Sequence, residues 1–222
     1  MPSITLNKKV FEQLVGKELP LEELKDSISM LCTDLEDVRG NEILVEVFPN
    51  RPDMLSEQGF ARAFSSFIGV KTGLRKYSIK ESKDSNHKVI IDPSVKEIRP
   101  YTACAIVKGL HFDEETLKQI IQIQEKLHIT YGRKRKKAAI GIYPLDKITF
   151  PVTYKADLPQ KIKFKPLEAH REMTAPEILE EHKAGKEYAH LLQGLAKYPF
   201  FIDAKHEILS MPPVINSDKT GR

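Results

Sequence analysis

The chain contains no tryptophan, only two cysteines, and no apolar run near the ~18 to 20 residues needed to cross a bilayer. The lack of such a run argues against a membrane span. Met1-Pro2-Ser3-Ile4 opens no basic-then-apolar leader, so a soluble, cytosolic protein is expected. Cys32 and Cys104 lie far apart with neither metal nor redox spacing, and both are expected as reduced thiols packed in apolar surroundings. Also missing are a glycine-rich phosphate loop, an HExxH, a CxxC pair and a Gly-x-Ser-x-Gly elbow. ATP chemistry therefore has no home among these residues. The seven histidines are scattered, and His182 and His190 do not have the three- or four-residue spacing of ligands on one helix face, so no metal is expected.

What is present suffices for two small cores: 222 residues, 41% of them hydrophobic. A formal net charge of +4 is compatible with a polyanionic partner, although 30% charged residues of both signs also describes an ordinary surface.

Residues 1–76 read as a small α/β domain. A strand around Ile4 to Leu6 precedes Asn7, which can cap a helix carrying Val10, Phe11, Leu14 and Val15 on one face and ending at Gly16. Pro20 suits the first turn of a second helix with Leu21, Leu24, Ile28 and Leu31 on its buried stripe. Ile43, Val45 and Val47 alternate along a half-buried strand. Pro49-Asn50-Arg51-Pro52-Asp53 then turns the chain, with Asp53 placed to cap a helix bearing Phe60, Ala63, Phe64, Phe67 and Ile68 before Gly69.

A polar stretch at 77–88 reads as a linker, and 89–222 as a second, larger domain. Val89 to Ile91 suggests a strand, and Asp113 can cap a helix to about Thr130 with Leu117, Ile120, Ile121 and Gln124 on one side. A basic cluster follows, then strand-like Ala138 to Ile142. Thr174-Ala175-Pro176-Glu177 matches a capping box, opening a helix expected to break at Gly185 and resume to Leu192. Tyr198 to Asp203 and Glu207 to Met211 look like a hairpin. The fold class is mixed α+β, with no repeats.

Two stretches stand out chemically. Arg133-Lys134-Arg135-Lys136-Lys137 is either a solvated loop after a helix end or a phosphate-binding cluster. Ser210-Met211-Pro212-Pro213 is either a strand end with a surface loop or a pocket wall, since adjacent prolines remove two donors and favour a rigid, extended exit. No histidine base and orienting acid can be recognised that would make Ser210 a nucleophile.

Several segments, in order and in register, resemble the beta subunit of archaeal and eukaryotic-type phenylalanyl-tRNA synthetases. They are Asn50-Arg51-Pro52-Asp53, Gln58 to Arg62, Ile98-Arg99-Pro100, Gln124 to Leu127, Arg133 to Gly141, Lys163 to Leu167, and Leu209 to Asn216. The resemblance covers the whole chain, as the N-terminal portion of such a subunit with most of its editing domain. It implies an assembly of two alpha and two beta chains. In it the alpha subunit activates phenylalanine with ATP and Mg2+ and charges tRNA(Phe), while the beta subunit hydrolyses mischarged tyrosyl-tRNA(Phe).

The resemblance also assigns residues. Ser210 matches a pocket serine, and Phe201 matches a pocket hydrophobe that is usually a smaller aliphatic residue, so its ring would narrow the pocket. Asn216 and Gly141 fall in matching segments. The cluster Arg133, Lys134, Arg135, Lys136 and Lys137 would hold the tRNA acceptor end. The turn Asp203-Ala204-Lys205-His206 lacks the glycine common in relatives, so a different turn is expected. Relatives continue into a strand that adds an acidic residue and a threonine to the pocket. The editing domain is therefore expected to be incomplete at Arg222, which leaves two alternatives open: a non-catalytic RNA-binding or assembly module, and an inactive truncated product.

Overall fold

In a computed structural model, residues 2–74, 76–80 and 86–221 are described. Residues 81–85, the middle of the expected linker, lie outside the described residues. The fold is mixed α+β and forms two compact units, Met1–Ser78 with His111–Ala138 and Ile79–Leu110 with Ala139–Arg222. Proximity in space thus groups the segment 111–138 with the first unit, whereas the division at 77–88 is drawn along the sequence.

The first unit begins with β1 (Ser3–Asn7) and α1 (Lys8–Val15). Asn7 accepts the Val10 amide at 3.3 Å, and Gly16 takes the left-handed conformation (φ 84°) that ends the helix without a Cβ penalty. After α2 (Leu21–Met30), β2 (Asp34–Arg39) and β3 (Glu42–Glu46) complete an antiparallel sheet of order β1-β3-β2. Ile43 and Val45 point into the core and β2 pairs along one edge of β3, yet β2 is scarcely visible in sequence. Only Leu35 and Val38 are apolar, and a register shift between Leu35 and Asp37 breaks their alternation.

α3 (Glu57–Phe67) is capped by Ser56, whose hydroxyl accepts the Gly59 amide at 3.0 Å, and not by Asp53. Asp53 sits in a preceding 3-10 turn with a two-pronged pairing to Arg51 (3.0 and 2.9 Å), so its carboxylate is committed before α3 begins. Phe11 packs edge-on to Phe64 with centroids 5.2 Å apart and tilted against Phe60, one turn earlier on α3, at 5.8 Å. The last helix of this unit is α4 (Glu114–Ile129), capped by Asp113 as expected. Its expected stripe is corrected: Leu117 and Ile121 are exposed, and His128 is the residue that is buried.

Two expectations about cysteine fail. Cys32 is exposed in a left-handed position just after α2 (φ 62°), and Cys104 lies in an exposed segment, 101–110, with neither helix nor strand.

The second unit is built on a five-stranded sheet of order β10-β9-β8-β5-β4. Its strands are β4 (Val89–Ile91), β5 (Val152–Asp157), β8 (Tyr198–Ile202), β9 (Ile208–Met211) and β10 (Ile215–Asn216). Only β4 and β5 run parallel. A separate ribbon pairs β6 (Lys163–Phe164) with β7 (Met173–Thr174) and leads into α5 (Ala175–Glu181) and α6 (Lys183–Tyr188).

The Thr174/Glu177 capping box is present, but the helix breaks at His182, three residues before the expected Gly185. Gly185 lies inside α6, and a Cβ there would sit 1.7 Å from the Ile178 carbonyl oxygen. The glycine lets α6 pack against the end of α5. Strand-like Ala138 to Ile142 forms no strand: its alternation finds no ladder partner among the described residues.

The β8–β9 hairpin forms as read. Asp203 organises its turn by accepting the amides of Lys205 (2.9 Å) and Glu207 (3.0 Å), while His206 adopts the left-handed conformation (φ 63°) in the absence of glycine. Pro212 and Pro213 do not make an extended exit. The Val214 amide bonds the Met211 carbonyl at 2.9 Å, closing a turn that folds β10 back onto β9.

Candidate functional site

Register within this sheet decides which side chains meet. Tyr154 on β5 lies directly across from Phe201 on β8, Phe201 across from Ser210 on β9, and Ser210 across from Asn216 on β10. Directly opposed residues in antiparallel strands project to the same face, so these four form one row. Phe200 turns to the larger core with Met211 and Val214. Phe201 turns to the smaller one with Val95, Tyr154 and Ala156.

The row begins aromatic and ends polar. The Phe201 ring stacks on Tyr154 with centroids 4.5 Å apart and planes 22° from parallel. Tyr154 is buried and its hydroxyl donates to the Arg99 carbonyl at 2.9 Å, which ties the Ile98-Arg99-Pro100 strap to the sheet. Burial pushes the Tyr154 phenol up to about 12.

Ser210 is 1% exposed, and its Oγ accepts a hydrogen bond from the Tyr143 hydroxyl at 2.9 Å. Asn216 is half-buried at the end of the row. Its backbone carbonyl takes the Leu167 amide at 3.0 Å, and its side-chain amide makes no hydrogen bond among the described residues.

Gly141 joins the group from a segment without helix or strand. A Cβ at Gly141 would come within 2.4 Å of the Tyr143 hydroxyl oxygen and 2.8 Å of its Cζ, so the absence of a side chain lets the Tyr143 ring lie there. Ser210, Phe201, Asn216 and Gly141 are thus gathered in one place, the first three by register and the last through Tyr143. Sequence reasoning missed both Tyr143 and Tyr154. Each meets its partner across a long stretch of chain, 67 residues for Tyr143 and Ser210, and no local pattern records such a pairing.

The basic cluster belongs to the other unit and is not a uniform patch. Arg133, Lys134 and Arg135 all have positive φ (50°, 52° and 66°), which coils the backbone into a tight left-handed turn after α4. Amides of Arg133, Arg135 and Lys137 return to the carbonyls of Thr130, His128 and Gly132. Arg135 is half-buried and paired with Glu125 at 3.1 Å, whereas Arg133, Lys134, Lys136 and Lys137 are exposed. The Lys137 ammonium stands 4.0 Å from the centre of the Tyr131 ring. Among the described residues, no group of three or more His, Cys, Asp or Glu could hold a metal, and no helix is long and apolar enough to cross a membrane.

No family model matches the chain. Curated proteins do match it, over its whole length. It is 47% identical over 227 aligned residues to the phenylalanine-tRNA ligase beta subunit of Thermococcus sibiricus, covering 100% of this chain and 40% of that protein. It is 41% identical to the same subunit from Archaeoglobus fulgidus, covering 99% of this chain and 39% of that protein. This chain thus spans about two-fifths of the length of these relatives. Among solved structures, it superposes on the crystal structure of an N-terminal fragment of the phenylalanyl-tRNA synthetase beta subunit from Pyrococcus horikoshii with a TM-score of 0.89 and 42% identity. That match covers 100% of this chain and 64% of the fragment. By sequence and by fold, this chain is similar to the N-terminal portion of the phenylalanine-tRNA ligase beta subunits.

Proposed function

We propose that the second unit supplies the tyrosine-recognising wall of an editing site that hydrolyses mischarged tyrosyl-tRNA(Phe). The observation that carries this reading is the cross-strand row Phe201–Ser210–Asn216, in which an apolar ring, a buried hydroxyl and an uncommitted amide adjoin on one sheet face. An aromatic side chain ending in a hydroxyl suits such a gradient. A site that hydrogen-bonds this hydroxyl can reject phenylalanine by ~10⁴ or more, because phenylalanine would leave buried polar groups unpaired. Hydrolysis on this reading is carried out by water, and the protein holds the ester in place.

The whole enzyme on this proposal is a cytoplasmic assembly of two alpha and two beta subunits. The alpha subunit binds ATP and Mg2+ and charges tRNA(Phe), and residues 89–222 form the editing domain of the beta subunit. The test is deacylation of tyrosyl-tRNA(Phe) by the protein and by Ser210→Ala. A substantial loss in the variant is expected, and equal rates would refute the assignment of Ser210.

The exposed cations Arg133, Lys134, Lys136 and Lys137 favour a second role, holding the tRNA backbone, and this would persist in a non-catalytic module. Neutralising these four should lower tRNA affinity and flatten its dependence on salt, by about one unit of log-log slope for each phosphate they had neutralised. Arg135 is excluded from this set by its ion pair with Glu125.

A further inference from the structure

Tyr143 brings to Ser210 the chemical group that the proposed substrate would bring. Its phenol donates to Ser210 Oγ at 2.9 Å, and among the described residues neither hydroxyl has another hydrogen bond. Burial pushes the phenol of Tyr143 up, so at neutral pH it is protonated and able to donate. The ring lies against Gly141 on a segment, 139–143, that carries neither helix nor strand and is therefore not locked into a ladder. The Ser210 hydroxyl that accepts from Tyr143 keeps its own proton to give.

We propose that the space filled by the Tyr143 phenol is the subsite for the tyrosyl phenol, and that Tyr143 is a built-in occupant which a tyrosyl ligand must displace. This rests on the editing reading above. A tyrosyl ligand that displaces Tyr143 restores the Ser210 hydrogen bond with its own hydroxyl. A phenylalanyl ligand displaces Tyr143 and leaves a buried hydroxyl unpaired. The opening of Tyr143 taxes every ligand by the same factor, because only the displaced fraction is competent to bind. Selectivity therefore resides in Ser210, and Tyr143 sets the affinity threshold that a correctly charged phenylalanyl ester fails to reach.

Two non-hydrolysable probes test this, 3'-amino-adenosine acylated with tyrosine and with phenylalanine, each titrated calorimetrically into the protein. Tyr143→Phe should tighten both by the same factor, about 2- to 10-fold, the range for loss of one such hydrogen bond. Tyr143→Ala should tighten both at least as much. Gly141→Ala, whose Cβ would collide with the Tyr143 ring, should also tighten both, and should add nothing on top of Tyr143→Ala. Ser210→Ala should collapse the ratio between the two probes.

If Tyr143→Phe weakens binding or changes the ratio, Tyr143 is a fixed wall and the displacement is wrong. If tyrosyl selectivity disappears in Ser210→Ala but no Tyr143 variant tightens binding, the displacement fails while the editing reading stands. If neither probe binds any form, the editing reading fails and the displacement with it.

Discussion

The two units use their aromatic residues in opposite ways. In the first, Phe11, Phe60 and Phe64 are at most 1% exposed, with Phe11 edge-on to Phe64 and tilted against Phe60 in one apolar core cluster. In the second, Tyr154, Phe201 and Tyr143 line one sheet face, and two of the three end in hydroxyls committed to a carbonyl or a serine. The first arrangement maximises burial and leaves nothing for a ligand to exchange. The second ties rings to polar groups, and the proposed binding surface needs such groups beside its apolar ones.

The sharpest way to break the comparison is to remove a ring from the closed core. Phe60→Ala deletes a fully buried side chain and should cost about 3–5 kcal/mol through lost transfer energy and a residual cavity. Amide exchange should show the loss in α1, α3 and the β1–β3 sheet. Equal loss of protection in β5, β8 and β9 would show that the second unit depends on the first core, and the contrast between the units would collapse. Within the second unit the steric limit is Gly185. Gly185→Ala forces a Cβ against the Ile178 carbonyl and should cost about 1–3 kcal/mol, read as a lower unfolding midpoint in denaturant.

The same contrast explains what could be read from sequence. The helices of the first unit were legible because their signals lie within four residues: Asn7 to Val10, Glu12 to Gly16, and Phe60 to Phe64. The Thr174/Glu177 box was legible for the same reason. β2 was not, because a register shift hides its alternation, and Ala138 to Ile142 shows that alternation alone does not make a strand without an edge to join. At the site, the resemblance picked out Phe201, Ser210, Asn216 and Gly141 singly. Their meeting depends on three strand registers and on Tyr143, all of which are long-range pairings.

The capping box gives a pH test confined to the second unit. Glu177 accepts the Thr174 amide at 2.7 Å, the Thr174 hydroxyl at 2.8 Å and Arg171 at 3.1 Å. Together these hold its carboxyl down from the usual 4.5 to about 2, with the backbone amide contributing most. A carboxyl with a lowered folded value stabilises the fold fully above about 4.5, and that contribution is lost as pH falls toward about 2. Exchange of the Thr174 amide should therefore accelerate through that window, and Glu177→Gln should flatten the dependence. Acid loss of identical shape in Glu177→Gln would assign the titration to another group.

The smallest expected effect concerns the basic turn of the first unit. Left-handed backbone costs a residue with a side chain roughly 1–2 kcal/mol relative to its ordinary conformation, and glycine escapes this cost. Lys134 is exposed at φ 52°, so Lys134→Gly should stabilise the first unit by up to about 1 kcal/mol, offset in part by the greater freedom of the unfolded glycine. The same variant removes one of the four exposed cations. Higher stability with weaker tRNA binding would mean that the turn holds a lysine at the expense of stability because its charge is used. Higher stability with unchanged binding would return Lys134 to the solvated surface and leave Arg133, Lys136 and Lys137 to account for any salt dependence.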